Sequence, residues 1–106
     1  MPKFLYQASY TGEGTKGLLK EGGSKRRAAV EEVMKALGGK VEAFYYAFGD
    51  PDVFLIVDVP DQASAAALSL AVNASGAVHL KTTVLMTPEE MDAAAKKTVS
   101  YRAPGK

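Results

Sequence analysis

The chain changes its hydrophobic period several times, and the order of those changes limits what it can fold into. Phe4, Tyr6, Ala8 and Tyr10 alternate with Leu5, Gln7 and Ser9, the period of a half-buried strand. Residues 11–23 are rich in glycine and read as a connection, with one or two helical turns around Lys16 to Lys20. Ser24 is placed to cap a helix in which Val30, Val33, Met34 and Leu37 fall on one face. Gly38-Gly39 stops that helix. Lys40 to Phe48 returns to period two, and Gly49-Asp50-Pro51-Asp52 has the composition of a turn. Val53 to Val59 is a strand rich in β-branched residues. Pro60 ends it, and Asp61 caps an alanine-rich helix running to about Ala74. Ser75-Gly76 closes this helix and Ala77 to Met86 forms a fourth strand. Thr87-Pro88-Glu89-Glu90 is a capping box with proline in the first turn, opening a short helix to about Lys97. Residues 98–106 have no period and read as an extended tail.

The order β-α-β-β-α-β predicts an α+β, ferredoxin-like split βαβ fold with a four-stranded antiparallel sheet and a short C-terminal helix. At 106 residues the chain is expected to be one domain spanning positions 1–106.

Such a fold puts its helices on one face of the sheet. Alternation assigns Phe4, Tyr6, Ala8, Val41, Ala43, Val53, Leu55, Val57, Val78 and Leu80 to that face. The opposite set holds Leu5, Gln7, Ser9, Glu42, Phe44, Tyr46, Phe48, Phe54, Ile56, Asp58, His79, Lys81 and Thr83. Phe44, Tyr46, Phe48 and Phe54 would then face outward, an apolar patch that a second copy could cover. The expected partner is therefore the chain itself, as a homodimer or higher homo-oligomer through the open sheet face.

Composition narrows the chemistry. Thirteen Lys and Arg against twelve Asp and Glu leave a net charge of +1, which gives no electrostatic case for nucleic acid or an anionic membrane. No apolar run approaches the roughly 18 residues of a membrane helix. The start, Met1-Pro2-Lys3-Phe4, shows no apolar signal segment, so a cytoplasmic protein is expected. Cysteine is absent, which excludes disulfides, thiolate chemistry and zinc ribbons. One histidine is too few for a typical zinc site, so neither metal nor cofactor is expected.

Gly12-Glu13-Gly14-Thr15-Lys16-Gly17 matches the dinucleotide fingerprint, but it lacks the parallel βαβ unit and the acid that closes the second strand. It reads as a glycine-rich connector. Ser24, Lys25 and Arg26 stand at a helix N-terminus, where exposed N–H groups could take an anion; the plainer reading is a solvated basic turn paired with Glu21 or Glu31. His79 shares a strand face with Lys81, with Asp58 and Tyr46 assigned to the same side. His79, Asp58 and Tyr46 could thus serve acid–base chemistry, or simply line an interface.

Several segments together resemble the GYD-domain family of small bacterial proteins. They are Lys3-Phe4-Leu5, Lys25-Arg26-Arg27, Glu42-Ala43-Phe44-Tyr45 running into Gly49-Asp50-Pro51-Asp52-Val53, Ser69 to Gly76, Lys81-Thr82-Thr83 and Thr87-Pro88-Glu89-Glu90. The family is named for a Gly-Tyr-Asp-like turn; here Pro51 holds the tyrosine place between Asp50 and Asp52. The resemblance implies a dimeric α+β barrel and no particular activity. A similar Gly-x-x-Asp hairpin lies near the amino-acid site of leucine-responsive-type regulators, whose DNA-binding helices have no counterpart here. By that analogy Gly49, Asp50 and Asp52 are candidate ligand-binding residues, and Lys81 joins them from the strand face it shares with His79. The expected function is a small-molecule-binding module with a site inside or between subunits. A cofactor-independent enzyme using Tyr46, His79 and Asp58, and a purely structural interaction protein, are the alternatives.

Overall fold

The computed structural model describes residues 2–106. The elements follow as β1 (Lys3–Tyr10), α1 (Gly12–Glu21), α2 (Gly23–Ala36), β2 (Lys40–Tyr46), β3 (Val53–Asp58), α3 (Gln62–Ala74), β4 (Val78–Leu85) and α4 (Pro88–Ala95). The strands form one antiparallel sheet in the spatial order β2-β3-β1-β4. This is the α+β, ferredoxin-like arrangement that the element order predicts.

Helices α2 and α3 cover one face of the sheet, called inner below. The alternation on β1 and β3 decides which side that is: Phe4, Tyr6, Ala8, Val53, Leu55 and Val57 are all buried. Met34 from α2 and Ala65 from α3 enter the same core. The small side chain at 65 lets the helix backbone come close enough for the Tyr6 hydroxyl to donate to the Ala65 carbonyl at 2.9 Å. An unpaired buried phenol would cost about 1–3 kcal/mol. Burial also pushes the Tyr6 phenol above its ordinary pKa.

Helix ends follow local chemistry. The Asp61 carboxylate accepts the Ser64 N–H at 2.8 Å, and Thr87 and Glu90 exchange the two hydrogen bonds of a capping box. Gly38 takes φ = 80° after α2, a conformation that favours glycine. Asn73 near the end of α3 bonds both the N–H and the carbonyl of Leu80, so its amide acts as a strand partner for the β4 edge.

Three expectations fail, each for a physical reason. The glycine-rich stretch is a helix from its start: Thr11 caps α1 by accepting the Gly14 N–H at 3.3 Å. Gly14 is needed for proximity, because a Cβ there would lie 2.0 Å from the Ala77 carbonyl oxygen. Ser24 does not cap α2. That helix begins at Gly23 after Gly22, whose φ of 87° turns the chain, and no side chain caps it. The faces of β2 are also partly reversed. A bulge between Val41 and Ala43 inserts one residue against β3, so Phe44 pairs with Leu55 and Tyr46 with Val53, both inner-facing residues. Phe44 and Tyr46 therefore turn inward, while Ala43 and Tyr45 turn outward, opposite Ile56 and Phe54. Phe48 lies beyond the strand end, fully exposed. The outer face keeps an apolar patch, made by Leu5, Tyr45, Phe54 and Ile56 instead.

Candidate functional site

A cavity of about 240 Å³ lies between the inner face and the helices. Its walls are Val30 and Val33 from α2, Leu68 and Val72 from α3, and Phe44, Leu55 and Leu80 from the sheet. Alternation along the strands and the α2 stripe bring these apolar groups together. The alanine-rich α3 stays close to the sheet through the bond from Tyr6 to Ala65.

Polar groups gather at one end. Tyr10, the last residue of β1, and Arg26, in the first turn of α2, both line the cavity. Tyr46 lies just beyond, where its hydroxyl donates to the Gly23 carbonyl at 3.0 Å. Its ring fills the space that a Cβ at Gly23 would need, 2.9 Å from ring carbon Cε2. Phe44 and Tyr46 meet edge to face, centroids 5.3 Å apart, and Phe44 separates the cavity from a surface notch beside Gly23, Ser24 and Arg27. Burial, then the neighbouring Tyr10 phenol, pushes the Tyr46 pKa up to about 12, against the lowering pull of Arg26 and Arg27. At neutral pH the Tyr46 phenol is neutral and donates to the Gly23 carbonyl.

Within one chain the basic turn is ion-paired. Arg26 Nη1 lies 3.7 Å from Glu21 and Arg27 Nε lies 3.9 Å from Glu31. Pairs this near the surface are worth roughly 0–1 kcal/mol. Lys25 is exposed, and Ser24 borders the notch.

The two acids of the Gly49–Asp52 turn take different partners. Gly49 has φ = 119°, which favours glycine, and the Asp50–Pro51 peptide is cis. The Asp52 carboxylate accepts the Tyr10 N–H at 2.9 Å, and the Asp52 N–H donates to the Ala8 carbonyl at 2.8 Å. Asp52 thus fastens the turn to the end of β1 and holds Tyr10 at the cavity. Asp50 faces outward and accepts a hydrogen bond from the Ser9 hydroxyl. With Gln7, Ser9, Pro51, His79 and Lys81 it borders an open outer cleft of about 390 Å³.

The three acid–base candidates do not meet within one chain. Asp58 pairs with Lys3 and His79 with Ser9, six residues apart on β1 and so roughly 20 Å at about 3.4 Å per residue. Tyr46 sits on the other face. Asp58 is only 5% exposed, and Lys3 Nζ meets it at 2.9 Å and Glu42 at 2.7 Å. Those two hydrogen bonds, Glu42 first, raise the Lys3 pKa. Asp58 therefore joins the strands at the far end of the sheet. Among the described residues, no group of three or more His, Asp or Glu side chains is placed to hold a metal ion.

A family model described as the GYD domain matches residues 4–95. The chain belongs to the GYD-domain family. The match takes in the whole sheet, both covering helices and α4, and ends where the tail begins. No curated protein and no solved structure matches the chain. Among the described residues of this GYD domain, no helix is long and apolar enough to cross a membrane.

Sequence reasoning did not assign Tyr10, Phe44 and Arg26 to one cavity. A signal for Phe44 is present: Val41, Phe44 and Tyr46 are spaced three and then two, which marks one inserted residue in an inward-facing row.

Proposed function

We propose that this GYD domain is a small-molecule-binding module whose ligand lies in the cavity between sheet and helices. The observation supporting this is the cavity itself: apolar walls, with Tyr10 and Arg26 at one end. Its 240 Å³ falls below the roughly 300–1,000 Å³ of sites for drug-sized ligands. The fitting ligand has on the order of ten non-hydrogen atoms, an apolar body and one anionic group. The body replaces water against the aliphatic walls, and Arg26 turns from Glu21 to the anion. Tyr10, held by Asp52, offers a hydroxyl beside it.

The module works as a homodimer through its outer sheet face. Tyr45, 71% exposed in one chain, supports this together with Leu5, Phe54 and Ile56. Gly49, Asp50, His79 and Lys81 then border the subunit contact. In keeping with the family's small bacterial members, we place the protein in the cytoplasm.

Native mass spectrometry of freshly purified protein tests both parts. The expected spectrum shows a dimer carrying a retained small acid. Dimers without added mass, combined with no binding of small apolar acids, would remove the ligand reading.

A further inference from the structure

The C-terminal segment has no place on its own chain. Every residue from Pro88 to Arg102 is exposed, and none of α4 is buried. The radius of gyration is 16.8 Å and the longest axis 56 Å. A compact domain of this length would have a radius near 13 Å, and an eight-residue strand spans only about 27 Å. The excess comes from α4 and the tail, which project from the end of β4. A helix of eight residues is marginal alone in water and draws its stability from packing. Its capping box fixes the helix start, but Met91 within it, Met86 before it and Val99 and Tyr101 after it are all at least half exposed.

We propose that residues 87–106 form an arm that lies across the outer sheet face of a second copy, each copy giving its arm to the other. This rests on the homodimer proposed above and assigns the element that closes it. Reach allows it: α4 adds about 12 Å, and eleven extended residues beyond it up to roughly 35 Å, against a four-stranded sheet about 19 Å wide. Size favours it, since a standard interface takes about 20–30 residues a side and the arm with the outer face supplies that number.

Charge selects the arrangement. The arm leaves β4 at the sheet end that carries Asp58 and Glu42. Its helix starts with Glu89, Glu90 and Asp92. The opposite end of the outer face carries His79 and Lys81, beside an Asp50 whose carboxylate is already taken by the Ser9 hydroxyl. A twofold axis in the sheet plane, across the strands, sets unlike ends together, so the acidic first turn meets Lys81 of the other copy. An axis along the strands would instead set that turn against the end where Asp58 and Glu42 already share Lys3, leaving Lys81 without it.

Sedimentation equilibrium of the full chain and of charge-reversed full chains tests the arm. Glu89→Lys with Asp92→Lys spares the capping residues Thr87 and Glu90. It should weaken dimerisation at least tenfold, and adding Lys81→Glu to the same chain should restore it to within about threefold. The absence of native cysteine permits a second readout. Chains carrying Asp92→Cys mixed with chains carrying Lys81→Cys should give a disulfide-linked heterodimer on mild oxidation, while Asp92→Cys mixed with Glu42→Cys should not. A dimer whose affinity ignores the reversal, or cross-linking only at Glu42, overturns the arm and leaves the dimer. A monomer at every concentration overturns both.

Discussion

The Tyr10 backbone N–H donates to the Asp52 carboxylate at 2.9 Å, joining the turn that gives the family its name to the polar end of the inner cavity. Asp50, two residues earlier, bonds an exposed hydroxyl on the other face. The two acids should therefore respond differently. Asp52→Ala leaves a part-buried N–H unpaired and should cost about 1–3 kcal/mol. Asp50→Ala should stay within about 0.5 kcal/mol. Urea denaturation compares them, and equal losses would contradict the assigned roles.

The glycines of α1 should split by sign. Gly14→Ala drives a methyl onto the Ala77 carbonyl, a backbone group that cannot swing aside, and should destabilise by about 1–3 kcal/mol or more. Gly17 has open space around it, so Gly17→Ala should stabilise the helix by about 0.5–1 kcal/mol. Thermal unfolding of the two variants checks the pair. A stabilised Gly14→Ala would mean that α1 does not sit against residue 77.

Met34 and Val33 adjoin on α2 but differ in burial, at 0% and 43% exposed. Met34→Ala should cost about 2–5 kcal/mol. Val33→Ala should cost well under half of that. Similar losses by chemical denaturation would place α2 in a different rotation on the sheet.

Alkaline titration reads the tyrosines. Tyr6 and Tyr46 both have raised pKa values, Tyr46 to about 12. A raised folded-state pKa stabilises fully below the unfolded value near 10, and that contribution is lost as pH climbs through the folded value. Phenolate absorbance should show two late ionisations in the folded protein, with stability falling above pH 10. Tyr46→Phe should remove one late ionisation. Five tyrosines titrating together in the folded protein would contradict the burial of both.

What was legible in the sequence was local. Asp61 and Thr87 cap helices by bonds to residues three positions away, and the alternation of β1 needs no knowledge of its neighbours. The bulge in β2 was not legible from strict alternation, because its position depends on pairing with β3. α1 was hidden because glycine lowers helix propensity, while Gly14 is required there by the approach of residue 77, far away in sequence. The candidate site was legible only in part, for the same reason. Asp50, His79 and Lys81 did come together at one cleft, but Tyr46 turned to the other face with the bulge and Asp58 lay at the far end. Arg26 reached the cavity only through the docking of α2, which no spacing encodes.

The central claim is that the inner cavity binds a small apolar acid. Methyl NMR of the folded protein, titrated with benzoate, phenylacetate and 3-phenylpropionate, tests it most directly. At about 0.5 kcal/mol per atom, a ten-atom probe should bind near 0.2 mM. Shifts should centre on Val30, Leu68, Val72 and Leu80, and Arg26→Leu should weaken binding at least tenfold. Unshifted cavity methyls with all three acids, or binding indifferent to Arg26, would contradict it.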